Sequence, residues 1–465
     1  FCNVCPTSEE LMDRLDRWVS PINILFFVLS GAELDLTILS NPLVLLVGVV
    51  YIASRSLGKI SGAYASCRAT KCSPSIQKYL GITLLPQAGV ALGMAAEAAQ
   101  LSDGHMVRNV VLFSVLVYEL VGPTLTRMAL TAAGEIKPEG RFSFVQGFAY
   151  FLVFLDKEET EAVRRAGGFP HNHIMEQMLI CLSLALIAGL LMSRLAKAVN
   201  LPAVTSYLVA GLLLGPFFLG RLGLSGLGFG FGTLEQVESY GVITKVALGF
   251  IAFVIGNEFR LSALKSMGKQ AITVGIAQAV ITTALVDVAL VVLHLLFPHV
   301  ISLASAITLG AIAAATAPAA TLMVVKQYKA DGPLTHLLLM VVAIDDAVGL
   351  VLFSGSYGVA NALEQGHMDP LSVIVEPLME IVLSLALGAV AGYLLNLLEV
   401  YFHSRSKRMS LSVAFVLLTV GVSMIEFNVG GVKCGFSLLL VCMMTGTVFC
   451  NVCPTSEELM DRLDR

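Results

Sequence analysis

Residues 337–353 read LLLMVVAIDDAVGLVLF, an apolar run with Asp345 and Asp346 side by side at its centre. An ionised carboxylate in the middle of a membrane helix costs about 3 kcal/mol on insertion scales. Two adjacent ones persist only where they bind something cationic: a small metal cation, a proton, or each in turn.

The rest of the chain suits that setting. Hydrophobic residues make up 56% and charged residues 13%, with a mean hydropathy of +0.83, against roughly 45–50% and about 25% in soluble domains. The expectation is an all-α polytopic membrane protein embedded in a lipid bilayer. With about 20 apolar residues needed per span, 465 residues leave room for about a dozen spans and no sizeable soluble domain. The net charge of −4 gives no reason to expect a nucleic-acid partner.

Residues 1–17, FCNVCPTSEELMDRLDR, recur letter for letter as residues 449–465. Diverged internal repeats do not stay identical over such a length, so the chain reads as circularly permuted. The parental order then begins near Met175, runs to Arg465, resumes at Trp18 and ends near Lys137, with a period of 448 residues. Residues 131–173 become the join between the old ends, and 1–17 and 449–465 two copies of one cytoplasmic loop.

Unrolled in that order, hydropathy predicts thirteen spans: 174–198, 202–220, 237–258, 269–297, 300–325, 334–358, 372–398, 408–427, 432–449, 18–36, 41–66, 77–99 and 106–130. Alternating the loops puts fifteen Lys and Arg residues on one face, among them Arg68, Lys71, Lys78, Lys269, Lys329 and Arg408. Only Arg108, Arg221 and Lys433 fall on the other. The positive-inside rule makes the rich face cytoplasmic, with the parental C-terminus.

Two halves of this order echo one another. Gly256-Asn257-Glu258 resembles Gly31-Ala32-Glu33, Ala317-Pro318 answers Leu85-Pro86, Asp346 and Gly349 answer Glu119 and Gly122, and Gly215 answers Gly446. The reading is two inverted six-helix repeats. Residues 174–358 form the first, 408–448 followed by 18–130 the second, and 372–398 the linking helix. Pro318 and Pro86 then fall at mid-depth in small-residue stretches, 311–325 and 81–95, and predict a break in each helix. Crossed, discontinuous helices of this kind place free carbonyls and helix ends at the midplane, where an ion site is built.

At this point the chain resembles a known family. TAPAAT (316–321), IDDAVGL (344–350), LPAVTSYLVAGLLLGP (201–216), FFVLSGAELDL (26–36) and LPQAGVALG (85–93) together look like the monovalent cation:proton antiporter-2 family, the bacterial sodium/proton exchangers of NapA and Kef type. The resemblance implies a homodimer in the bacterial inner (plasma) membrane, a panel-like dimerisation part and a six-helix core that moves against it, and no cofactor. It implies that Asp346 is the carboxylate that alternately binds cation and proton. Asp345 matches the preceding aspartate of electrogenic members, Thr316 the polar residue at the helix break, and Lys59 the lysine that pairs with a core aspartate. The chain departs from the family in carrying no large Kef-type nucleotide-binding domain in this sequence, and no charge near Gln87–Gly89, where some sodium-selective relatives have one.

Other residues keep two readings. Lys59 is the functional cation, or it snorkels to the interface from its place near Arg68; Arg55 is accessory, one turn away. Thr321 is accessory at the break. Glu119 serves transport or a structural hydrogen bond, and Asp287 is expected near the interface. Cys2-x-x-Cys5 and its copy have metal-like spacing without a second pair. The predicted function is exchange of Na+ or Li+ for protons by alternating access, not an enzymatic reaction, with K+/H+ exchange as the nearest rival. An ion channel or an organic-anion symporter of related fold are rivals of another class. A channel would show rings of polar residues, and an anion symporter cationic groups in place of paired aspartates.

Overall fold

The computed structural model describes residues 20–35, 42–136, 174–198, 203–222, 230–258, 268–317, 320–321, 324–325, 328–364, 370–402, 405–425, 427–429 and 432–452. Pro318, the copy at 1–17 and all but the first four residues of the copy at 449–465 lie outside that set. So do Cys2, Cys5 and Cys453.

The chain is helical almost throughout. The helices are α1 (Ser20–Ala32), α2 (Pro42–Ala69), α3 (Pro74–Thr83), α4 (Gly89–Ala98), α5 (Gly104–Ala132), α6 (Ile174–Ala198), α7 (Ala203–Leu214) and α8 (Leu234–Glu238). They continue as α9 (Gly241–Glu258), α10 (Gly268–Leu296), α11 (Leu303–Ile312), α12 (Pro333–Glu364), α13 (Pro370–Glu399), α14 (Arg405–Ser423) and α15 (Leu438–Val452). Six helices among the described residues are long and apolar enough to cross a membrane, in α2, α5, α6, α10, α12 and α13; the others are shorter. One predicted span starts late. Residues 432–434 pair antiparallel with 427–429 in a small hairpin, so the helix expected from 432 begins at Leu438.

Two of the shorter pairs are interrupted spans. Leu84–Ala88 separates α3 from α4, where Pro86 lacks the N–H that would continue the ladder and biases Leu85 away from helix. Residues 313–317 interrupt the run after α11, and helical residues resume at Ala320. The breaks touch: the Ala317 N–H donates to Pro86 O at 2.9 Å.

Helix contacts fall into three sets. α2, α3, α4, α5, α10, α11 and α12 pack among themselves, with α10 on α2 the most extensive contact. α9, α13, α14 and α15 pack together, as do α6 and α7; the sets meet where α4 and α12 touch α9, α12 touches α13 and α15, and α5 touches α7. Glycines bring pairs of backbones together at two crossings. Gly31 lies against Leu208 O and Gly211 against Val28 O and Ala32 N, while Gly256 lies against Met443 O and Gly446 against Phe253 O and Asn257 N. The two crossings are built alike, and they match Gly446 with Gly211, one turn from the Gly215 expected from sequence. Gly215 reaches Ala32 from farther along the helix.

Loop tips sort into two ends. At one, the Glu135 carboxylate caps α12 by accepting from Leu334 N at 2.7 Å, Thr335 N at 2.8 Å and Thr335 Oγ1 at 2.7 Å. Gln270 Nε2 donates to Thr70 O at 3.1 Å at the same end. Residues 131–136, assigned above to the join, are therefore part of the folded core. At the other end Arg108 pairs with Glu33, and Asp103 Oδ2 accepts from Ser302 N at 3.1 Å.

Candidate functional site

The two breaks leave carbonyls without helical donors, and buried carbonyls need partners. Helix α2 supplies them. Arg55, fully buried, spreads its guanidinium over both breaks: Nε donates to Ala313 O at 3.0 Å, Nη1 to Leu85 O at 2.7 Å and Nη2 to Ala315 O at 2.7 Å. Its face lies 4.5 Å from the centroid of the Tyr118 ring. The planar fork of arginine suits this grip in a way a point-charge ammonium does not.

One turn on, Lys59 is also fully buried, which removes the snorkelling alternative. Its ammonium has three N–H groups and three partners: Asp345 Oδ2 at 2.6 Å, Thr316 Oγ1 at 2.9 Å, and Ala314 O. The Thr316 hydroxyl in turn donates to Asp345 Oδ2, and Gln278 Nε2 on α10 donates to Asp345 Oδ1. Asp345 is thus held by three elements at once, and a buried carboxylate held by a cation and neutral donors is the arrangement that offsets its desolvation. Asp346, the next residue on α12, is 2% exposed and points about 100° around the helix from Asp345. Asp345, Thr316 and Lys59 therefore meet at the break, with Asp346 the next residue along α12.

Besides Arg55 at Leu85 O, the second break has neutral partners. Gln87, fully buried, donates through Nε2 to Tyr51 OH at 3.0 Å and to Ile312 O at 3.1 Å, and accepts from Ser114 Oγ at 3.2 Å. Gly122 leaves room for the Pro86 ring, while a Cβ at Gly349 would meet the Ala315 backbone at ordinary contact distance. Thr321 stays local, its hydroxyl bonding Ala317 O at 3.3 Å. Glu119 is elsewhere, 1% exposed on α5, with Thr205 Oγ1 donating to it at 3.4 Å.

Three participants were not singled out by sequence as site residues: Gln278, Gln87 and Tyr51. Gln278 had a signal, being an amide amid the apolar residues of α10, where intramembrane polar groups mark function. Asp287 is half-buried, with its Oδ1 in the notch that Gly310 leaves on α11. Among the described residues, no group of three His, Cys, Asp or Glu could hold a metal ion; Cys2, Cys5 and Cys453 of the two CxxC copies lie outside those residues.

Comparison with known proteins adds one match. The family model described as sodium/hydrogen exchanger, transmembrane, matches residues 6–132 and 182–463. No curated protein matches the chain.

Proposed function

The chain belongs to the sodium/hydrogen exchanger family, and on that premise we propose that it exchanges Na+ or Li+ for protons by alternating access, with Asp346 and Asp345 as the exchanging carboxylates. The family supports the coarser statement, monovalent cation/proton exchange by a membrane-embedded transporter. The observation that carries the finer one is the Lys59–Thr316–Asp345 cluster at the helix break beside Asp346.

The chemistry follows from competition for oxygens. A carboxylate in a partly dehydrated site holds a proton or a metal cation, and neither leaves without a replacement. A cation arriving at Asp346 and Asp345 competes with Lys59 for the same Asp345 oxygen. Lys59 can then give up its proton, so that one proton from Asp346 and one from Lys59 leave for each cation bound. The exchange of two protons for one cation moves net charge, coupling the cycle to membrane potential at about 2.3 kcal/mol per 100 mV.

Three further readings belong to this proposal. The chain is of the antiporter-2 type and dimeric, with basic loops facing the cytoplasm of a bacterial inner membrane. It is circularly permuted, a reading supported by the interval between the matched segments, 133–181, which largely coincides with the expected join. The two like-built glycine crossings support inverted repeats.

The test is exchange in proteoliposomes across Na+, Li+ and K+, with and without a potassium-diffusion potential. Sodium- and lithium-dependent proton flux that responds to voltage is the expected result. Flux that follows K+ alone would move the assignment to the K+/H+ rival, and indifference to voltage would leave Asp346 exchanging one for one.

A further inference from the structure

Glu119 is a carboxyl group with too few donors. It sits midway along α5 where that helix meets α7, and Thr205, also 1% exposed, gives it a single hydrogen bond at 3.4 Å. Its second oxygen, Oε1, is buried without a hydrogen-bond partner. Pro123, four residues on, has no N–H, so the backbone carbonyl of Glu119 also lacks its helical donor. Two turns along the same face, Thr126 Oγ1 is buried and likewise has no hydrogen-bond partner.

Among the described residues no cation answers this cluster of acceptors. Of the helices packed on α5, α7 and α11 carry no charged residue, α4 carries Glu97 near its outer end, and α3 carries Lys78 over the Tyr79 ring. Helix α2 carries Arg55 and Lys59, whose N–H groups are committed to the breaks and to Asp345, and Arg68 near its end. On α5 itself Arg108 pairs with Glu33, and Arg127 lies over Tyr328. An ionised carboxylate left so would keep an uncompensated charge in an apolar seam, a state proteins avoid by protonation. A carboxylic acid brings the missing donor with it.

The seam is also where two of the helix sets meet, since Val204, beside Thr205, packs on Ala88, Ala317 and Ala320 around the breaks. We propose that Glu119 is a second proton-binding site, distinct from Asp345 and Asp346, that must be loaded for α5 and α7 to close on each other and unloads when water enters the seam. This rests on the alternating-access reading above. Closing takes up one proton at Glu119, so acid favours the closed seam and alkali the open one, by up to about tenfold in population per pH unit through the titration.

The test reads the seam without reading transport. Val204→Cys, in a background with the native cysteines replaced and Asp346→Asn added to silence the main site, is reconstituted and labelled with a water-soluble maleimide between about pH 6 and about pH 9, where one linked proton gives up to about tenfold per unit. Each rate is divided by that of the same cysteine in denatured protein at the same pH, which removes the rise in thiolate fraction with pH. A corrected rate that climbs with pH, and that stays low at every pH once Glu119→Gln is added, supports the latch; a corrected rate flat in pH, or a pH dependence unchanged by Glu119→Gln, overturns it. Infrared spectra give a check that needs no moving part: a protonated-carboxyl C=O absorption at neutral pH that is missing from Glu119→Gln supports the site, and identical spectra sink it. Failure of exchange in the wild type would refute the transport reading and leave both of these measurements readable.

Discussion

The two helix breaks share a scaffold and differ in charge. Residues 313–317 meet Asp345, Lys59 and Arg55; residues 84–88 meet Arg55 at Leu85 O, and Gln87 among them bonds Tyr51 and Ser114. Only the second needs its glycine: a Cβ at Gly122 would run into the Pro86 ring, whereas one at Gly349 would meet Ala315 at ordinary contact distance. On the proposed reading, the geometry of a broken helix is not sufficient for an ion site: the carboxylate beside residues 313–317 makes the difference, and the lysine that meets it comes from α2, 286 residues away in sequence.

The sharpest way to break the contrast is to neutralise the charged side. Asp346→Asn keeps the shape of the carboxylate but neither titrates nor offers a charged oxygen, so exchange falls to background in proteoliposomes while the protein elutes as a folded species. Wild-type flux from that variant would erase the distinction between the breaks. Next in size is Lys59→Gln, which strands buried Asp345 and costs about 3–5 kcal/mol of stability. Adding Asp345→Asn recovers most of that loss in thermal melts, and both variants lose voltage dependence before they lose all exchange. A double variant no more stable than Lys59→Gln alone would mean the pair is not what holds Asp345.

Arg55→Lys probes the link between the breaks. It keeps the charge and loses the fork, leaving carbonyls unpaired at about 1–3 kcal/mol each, so about 2–4 kcal/mol of destabilisation is expected, against about 1–2 kcal/mol for Gln87→Leu at the neutral break. Equal losses would deny α2 its special part. The smallest effect separates two glycines. A methyl at Gly211 meets the Val28 backbone more closely than one at Gly215 meets Ala32, so Gly211→Ala costs about 1–3 kcal/mol and Gly215→Ala less, by unfolding in mild detergent.

Much of this was legible in the sequence because the bilayer makes strong demands. Apolar runs of fixed length had to be helices, and Asp345 and Asp346 had to face inward. Pro86 announced its own break. Partner identity was harder to read: nothing local distinguishes Lys59 reaching Asp345 from Lys59 reaching the interface, since both cover the same hydrophobic path. Gln278 was hidden by its neutrality, and Gly211 by Gly215, one turn away on the same face. The hairpin before Leu438 was lost in an apolar stretch that suits strand and helix alike.

Helix α2 sets an order of events in making the protein. Two of the three carbonyls that Arg55 grips are 258 and 260 residues later in the chain, and the aspartate that Lys59 meets is 286 residues later. At about 5–20 residues per second, ribosomes take roughly 13–60 s to reach them. During that interval α2 lies in or beside the membrane with two cations that each cost about 2.5–3.5 kcal/mol at its centre. A newly made α2 is thus a reluctant span, held by its remaining apolar residues and by insertion machinery until α11 and α12 arrive. Assembly of the core is a late event in synthesis, and a ribosome that stops before residue 345 leaves behind a fragment whose positive charges have no home.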